Sequence, residues 1–177
     1  MPLPGGGQLL IHPTPALTAI DVDAGGGTLR EVNEAAMAEA ARQIRLRNLA
    51  GAILLDLAGL TVKQRASLEA PLLAALAPDK LARLAGLGPL GLWEIQRRRV
   101  HPPLHEVLAG PLTPGLAALR KAARELAAQP GARLALRAHP RVIAALQALP
   151  GALEALGAPL TLRPDPNLAP GQESLEP

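Results

Sequence analysis

The sequence contains no cysteine, no phenylalanine and no tyrosine, and Trp93 is its only aromatic side chain. Without cysteine the chain forms no disulfide, has no thiolate nucleophile and cannot build a cysteine zinc site. Without Phe and Tyr it cannot carry the aromatic platform on which a complete RRM stacks RNA bases. The core of a 177-residue chain must therefore be built from Leu, Ala, Val and Ile.

Long apolar runs are also missing from the chain. Residues 52–60 are interrupted by Asp56 and fall far short of the roughly 20 residues that a membrane span requires. The N-terminal residues MPLPGGGQLL have neither the basic nor the apolar region of a signal peptide. We therefore expect a cytoplasmic protein that does not enter a membrane.

The positive charge of the chain is small but comes mostly from arginine. The net charge is +3, and 15 of the 18 cationic residues are Arg, whose guanidinium forks bidentately onto phosphate. Two clusters stand out, one in a predicted helix (Arg42, Arg45, Arg47) and one in the run of residues 97–99. These clusters favour a polyanionic partner. Solvated arginine, and cations that complement a helix dipole, are the structural alternative.

The pattern of apolar and turn residues predicts an α/β protein with a mixed sheet and flanking helices. Alternating or apolar runs predict strands at residues 8–12, 17–23, 52–57, 83–87 and 92–95. A capping box formed by Thr28 and Glu31 begins a helix that we expect to end at Gly51. Residues 62–76 are helical in pattern but contain Pro71, which predicts a kinked helix or two short ones.

A proline-rich connector at residues 101–111 precedes a second alternation of helix and strand. Helices are predicted at residues 116–128 and 141–149, and strands at 133–138 and 159–163, which indicates a small α/β domain. We therefore predict a first domain at residues 1–109, a small domain at 110–165 and a disordered tail at 166–177.

Three aspartates are the strongest candidates for chemistry. Asp21 and Asp23 lie two apart in a predicted strand and so share one face, and Asp56 follows an apolar strand in which an unpaired charge would be costly. Oxygen ligands at the ends of strands suit Mg²⁺ or Mn²⁺, and such a site can activate water for phosphodiester hydrolysis. The alternative is that all three are turn or capping residues.

Two other candidate sites are weak. His101 and His105 are four residues apart, but they lie in an extended Pro-rich segment without a third ligand, so we expect no zinc. The run Gly25-Gly26-Gly27 lacks the Gly-Lys-Ser/Thr ending of a phosphate-binding Walker loop.

Several blocks in order resemble the catalytic part of the ribonuclease E/G family. They are Gly5-Gly6-Gly7, the segments ALTAIDVDAG, ARQIRLRNLAG and ILLD that contain the acids and the helix end, and the later GLWEIQRRR and LRAHP. The resemblance extends over about residues 5–165. It implies a deoxyribonuclease I-like or ribonuclease H-like mixed sheet, followed by the family's small domain.

The resemblance also implies an activity and its residues. In the family two aspartates hold a Mg²⁺ that activates water for endonucleolytic cleavage of single-stranded RNA, and they match Asp21 and Asp56. Asp23 stands where the family usually has Asn, and we expect it to support the metal. The arginines would contact RNA phosphates (Arg42, Arg45, Arg47, Arg97, Arg98). The cysteine zinc link that joins protomers of the family is absent. A homo-oligomer is therefore an open alternative, and no zinc is expected.

We therefore favour an endoribonuclease of this type, acting in RNA processing or decay. The alternatives are a catalytically impaired RNA-binding or regulatory remnant of the family, and a purely structural interaction module. The family's RNA-binding OB-fold domain is not contained in these residues, so we expect weak RNA binding that falls as salt rises.

Overall fold

The N-terminal unit of the chain, Met1–His105, is built on a mixed sheet of five strands. The computed structural model describes all residues 1–177. The strands of this unit are β1 (Gln8–Pro13), β2 (Thr18–Asp23), β3 (Gly51–Asp56), β4 (Ala82–Leu87) and β5 (Trp93–Arg97). Their order is β1-β2-β3-β5-β4, and only β2 and β3 are parallel. The predicted mixed α/β architecture is confirmed.

Helices cover one face of this sheet. Helix α1 (Leu29–Leu46) crosses over between the parallel strands β2 and β3, and α2 (Val62–Ala66) and α3 (Glu69–Leu76) connect β3 to β4. One core cluster joins the apolar stripe of α1 to alternate strand residues, including Ile20, Ile53 and Trp93. The intervening residues of β2 and β5 are exposed on the opposite face or half-buried there. None of the helices is both long and apolar enough to cross a membrane.

The continuous apolar run of residues 52–57 is typical of a strand buried on both faces, but β3 is buried on one face only. Ile53 and Leu55 are fully buried, but Ala52 is exposed and Leu54 and Asp56 are only half-buried. The reason is that the helices cover a single face of the sheet. A continuous apolar run is therefore compatible with a strand that has one open face.

The ends of α1 also differ from the predicted caps. The Thr28 hydroxyl donates to the Glu31 carboxylate over 2.6 Å and makes no capping bond to the backbone. At the other end Asn48, with φ 49°, takes the left-handed position after the helix, and Gly51 instead begins β3. The Asn48 amide donates to the His101 and Pro102 carbonyls, which explains the choice of Asn.

Two short helices, rather than one kinked helix, occupy residues 62–76. Thr61 and Gln64 form a complete capping box at the start of α2. Pro71 lies in the first turn of α3, where its missing N–H would have no partner in the helix. The chain thus uses Pro71 to begin a helix.

The C-terminal unit, Glu106–Pro177, has its own sheet and core. Strand β6 (Leu134–Ala138) lies between β7 (Leu160–Pro164), which is parallel to it, and β8 (Ser174–Glu176), which is antiparallel. Helices α5 (Leu112–Ala128) and α6 (Pro140–Gln147) pack on β6 and β7, and a 3-10 turn follows at Glu154–Leu156. The helix α4 (Leu104–Ala109) lies in the segment predicted to be a connector.

The prediction of a disordered tail at residues 166–177 is wrong, because the tail contains β8. Leu175 packs against the core of the C-terminal unit, and the Arg163 guanidinium donates to Glu176 over 2.8 Å. An edge of β6 that would otherwise be unpaired is thereby covered. The division between the two units falls after His105.

Candidate functional site

Asp21 and Asp56 are direct neighbours across the parallel pair β2–β3. Because register partners in a sheet point to the same side, both carboxylates lie on the face that the helices leave open. Asp56 is the last residue of β3, and its side chain is 48% exposed, while Asp21 is also exposed. The crossover through α1 makes the two strands parallel and so brings these carboxyl ends together.

Asp23 shares the face of Asp21 but is used by the turn that follows. One carboxylate oxygen accepts from the Gly25 backbone N–H at 2.9 Å, and the other accepts from the Gln8 side-chain amide at 3.1 Å. The Gly25 N–H, and to a smaller extent the Gln8 amide, hold the pKa of Asp23 below its usual value. Asp23 therefore stays ionised and fixes the glycine turn between β2 and α1.

Arg65 is a member of the site that the sequence analysis did not identify. Its Nη1 donates to Asp56 Oδ1 at 2.5 Å and to the Gly91 carbonyl at 2.8 Å, and its Nε donates to the Leu60 carbonyl at 3.0 Å. Its side chain is only 14% exposed. No periodicity relates a strand end to a helix nine residues later. The only signal in the sequence was a cation in the segment that follows Asp56.

Asn33 supports the segment behind Asp56 from the helix side. Its side chain accepts from the Ala58 N–H at 2.9 Å and donates to the Ala58 and Leu29 carbonyls at 3.0 and 2.7 Å. The residue is completely buried, so these bonds satisfy backbone groups that water does not reach. The turn after β3 is thereby tied to the first turns of α1.

Comparison with known proteins identifies relatives of this chain. A model described as the Ribonuclease E/G family matches residues 1–100, which contain strands β2 and β3 and the candidate residues Asp21, Asp23 and Asp56. The chain belongs to the ribonuclease E/G family. The match ends at residue 100, so the resemblance of residues 136–140 to the family's small domain stays a prediction.

Individual ribonucleases E and G align with about three fifths of the chain. The chain is 37% identical over 114 residues to ribonuclease E of Escherichia coli K12, covering 59% of this chain and 11% of that protein. It is 39% identical over 115 residues to ribonuclease E of Nostoc sp., with 59% and 17% covered. Ribonuclease G of Salmonella typhimurium is 34% identical over 116 residues, with 60% and 24% covered. The chain thus spans less than a quarter of the length of each of these ribonucleases.

The predicted arginine contacts do not converge on the aspartates. Arg42, Arg45 and Arg47 belong to the end of α1, whose core-facing stripe packs on the covered face of the sheet. Arg42 makes two hydrogen bonds to the Glu39 carboxylate, both of 2.7 Å, and Arg47 donates to the Gln43 side chain over 2.7 Å. These cations therefore lie with the helix and not beside the acids.

Arg97 is buried and does not form an RNA-binding surface in this structure. Strand alternation places it on the inner face with Trp93 and Ile95. Its guanidinium donates to Asp79 at 2.7 Å, and also to Asn48 and to the Leu49 carbonyl. Arg98, the next residue, is exposed, and its backbone N–H donates to the Leu81 carbonyl.

The two carboxylates suit Mg²⁺, and they do not form a closed metal site. No group of three or more His, Cys, Asp or Glu side chains could hold a metal ion. Mg²⁺ is commonly bound through one or two carboxylates, with water and substrate phosphate as the other ligands. The exposed Asp21–Asp56 pair provides that minimal oxygen set on an open face.

Proposed function

We propose that this chain carries the hydrolytic site of a Mg²⁺-dependent endoribonuclease of the E/G type. The substrate is single-stranded RNA, the reaction is hydrolysis of a phosphodiester bond, and the setting is RNA processing or decay in the cytoplasm. The observation that carries the proposal is the register pairing of Asp21 and Asp56 at the open carboxyl ends of β2 and β3, inside the region matched to the family.

Each polar residue of the site has a distinct task in this reaction. Asp21 and Asp56 would hold Mg²⁺, or Mn²⁺ in its place. When bound, the cation supplies Lewis-acid chemistry, which polarises water and balances phosphate charge. Asp23 keeps the glycine turn in place through Gly25, and Arg65 fixes one oxygen of Asp56. The open face leaves room for an RNA chain to approach the acids.

RNA capture by these residues alone rests on charge. Trp93, the only aromatic side chain, is buried in the core, so no base can stack on it. Binding through exposed cations and a metal ion releases counterions and therefore weakens as salt rises. We expect affinity that is low and shows little sequence preference.

The purified chain should cleave a single-stranded RNA oligonucleotide only when Mg²⁺ is present. Chelation with EDTA should reduce cleavage to background, and added Mg²⁺ should restore it, because two carboxylates alone do not activate water at the phosphate. Gel analysis of end-labelled RNA measures the products, and an equal length of double-stranded RNA serves as the control.

Two other results, with RNA binding measured beside cleavage, would contradict the proposal. Salt-sensitive RNA binding without cleavage at any Mg²⁺ concentration would support the regulatory remnant. Neither binding nor cleavage would support a structural interaction module.

A further inference from the structure

The Asp21–Asp56 pair has a cation of its own, which the pattern of acids did not predict. The Arg65 guanidinium bonds Asp56 Oδ1 directly, so the two carboxylates and the arginine together carry a single formal negative charge. Asp23 is ionised as well, but its two oxygens already accept hydrogen bonds from the Gly25 N–H and from the Gln8 side-chain amide. Arg65 therefore cancels one of the three negative charges that the aspartates supply.

We propose that Arg65 is the resident counter-ion of the Asp21–Asp56 pair and keeps its affinity for a divalent cation low until an RNA phosphate arrives. The inference rests on the proposed function, because it assumes that this pair is the cation site. In this view Arg65 sets the strength and the order of binding, and it is not a ligand of the metal.

Arg65 is held in place too firmly to be an incidental surface cation. Two backbone carbonyls, those of Leu60 and Gly91, accept from it in addition to Asp56. Gly91 has φ 78°, a left-handed conformation that glycine adopts without strain, and it is buried. The guanidinium is therefore fixed from three sides, and solvent screens it little.

Two opposing effects follow from removing Arg65, and their sizes decide the sign. The freed Asp56 side chain gains rotamer freedom, which should weaken metal binding about twofold to threefold. Removing a unit positive charge roughly 5 Å from a divalent cation should strengthen binding on the order of tenfold, even with the dielectric constant of water. The electrostatic effect is the larger, so the variant should bind the metal more tightly.

The same charge balance couples the metal to RNA. A phosphodiester brings one negative charge, which offsets part of the positive charge that Arg65 places beside the two carboxylates. Metal and RNA should therefore strengthen each other's binding, and by linkage the effect is reciprocal.

Mn²⁺ binding without RNA tests the proposal separately from cleavage. The EPR signal of free Mn²⁺ gives the dissociation constant for the wild-type chain and for Arg65→Gln, Arg65→Lys and Lys63→Gln. Arg65→Gln should bind Mn²⁺ on the order of tenfold more tightly. Arg65→Lys, which keeps the charge, should stay within about threefold of wild type. Lys63→Gln is the matched control, since it removes an exposed cation of the same helix and should change the constant less than twofold.

The outcomes separate this proposal from the proposed function. Wild-type binding with an unchanged or weaker constant for Arg65→Gln would overturn the counter-ion role and leave the metal site standing. No Mn²⁺ binding by any form would overturn both. If Arg65→Gln does not fold, ¹⁵N NMR of wild-type arginine side chains decides. The Arg65 Nε signal should shift during Mg²⁺ titration, and an unshifted signal would overturn the proposal.

Discussion

Replacing Asp21 or Asp56 with asparagine should abolish Mg²⁺-dependent cleavage of RNA. A bound metal contributes several kcal/mol to stabilising the transition state, which corresponds to a loss of at least about a hundredfold in rate. Asparagine keeps the size and one oxygen of each side chain, and at position 56 that oxygen can still accept from Arg65. The change therefore removes charge and leaves the strands β2 and β3 intact. Initial rates of cleavage at saturating Mg²⁺ measure the effect.

Asp23→Asn is the matched control for these two substitutions. It removes the same charge two residues from Asp21, on the same face of β2, and its remaining oxygen can still accept from the Gly25 N–H. We expect cleavage to fall by about tenfold, the lower end of the effect for a residue that supports metal ligands, because the Asn oxygen keeps the Gly25 contact. Trp93 fluorescence shows whether each variant keeps its core, because this single Trp is 1% exposed. Cleavage that survives both Asp21→Asn and Asp56→Asn would remove the proposed site.

The position of Asp21 and Asp56 was predictable because it follows from local rules. Strand alternation gives the face of Asp21, and the end of an apolar run gives the exposed end of β3. What these rules do not give is the register, since only the folded pair β2–β3 sets Asp21 opposite Asp56. The acids were thus predicted as candidates, and their adjacency is a finding of the structure.

The basic residues were harder to predict because an arginine's role depends on long-range partners. The run 97–99 has the composition of a solvated edge, yet alternation in β5 turns Arg97 inward with Ile95. Its partner Asp79 lies between α3 and β4, 18 residues earlier, and no sequence pattern joins the two. The contact between Arg65 and Asp56 was equally hard to predict, because it depends on where α2 begins.

Asp79→Ala should destabilise the N-terminal unit by about 3–5 kcal/mol in the free energy of unfolding. Both side chains of the Asp79–Arg97 pair are only 6% exposed. Removing the carboxylate leaves the Arg97 guanidinium buried without a counter-charge, and it also leaves the Leu81 N–H without its acceptor. Urea unfolding followed by Trp93 fluorescence reports on this unit, because Trp93 lies in the same strand as Arg97.

Arg30→Ala provides the comparison with an exposed ion pair. Arg30 and Glu34 are 3.0 Å apart on α1, but the arginine side chain is 87% exposed, so its loss should change the free energy of unfolding by no more than about 0.5 kcal/mol.

The double variant Asp79→Ala/Arg97→Ala completes a cycle. It should be less destabilised than the sum of the two single variants, because removing Arg97 as well eliminates the unpaired buried charge. Simple addition of the two single effects, or a cost below about 1 kcal/mol for Asp79→Ala, would show that the pair does not hold β5 to the loop before β4.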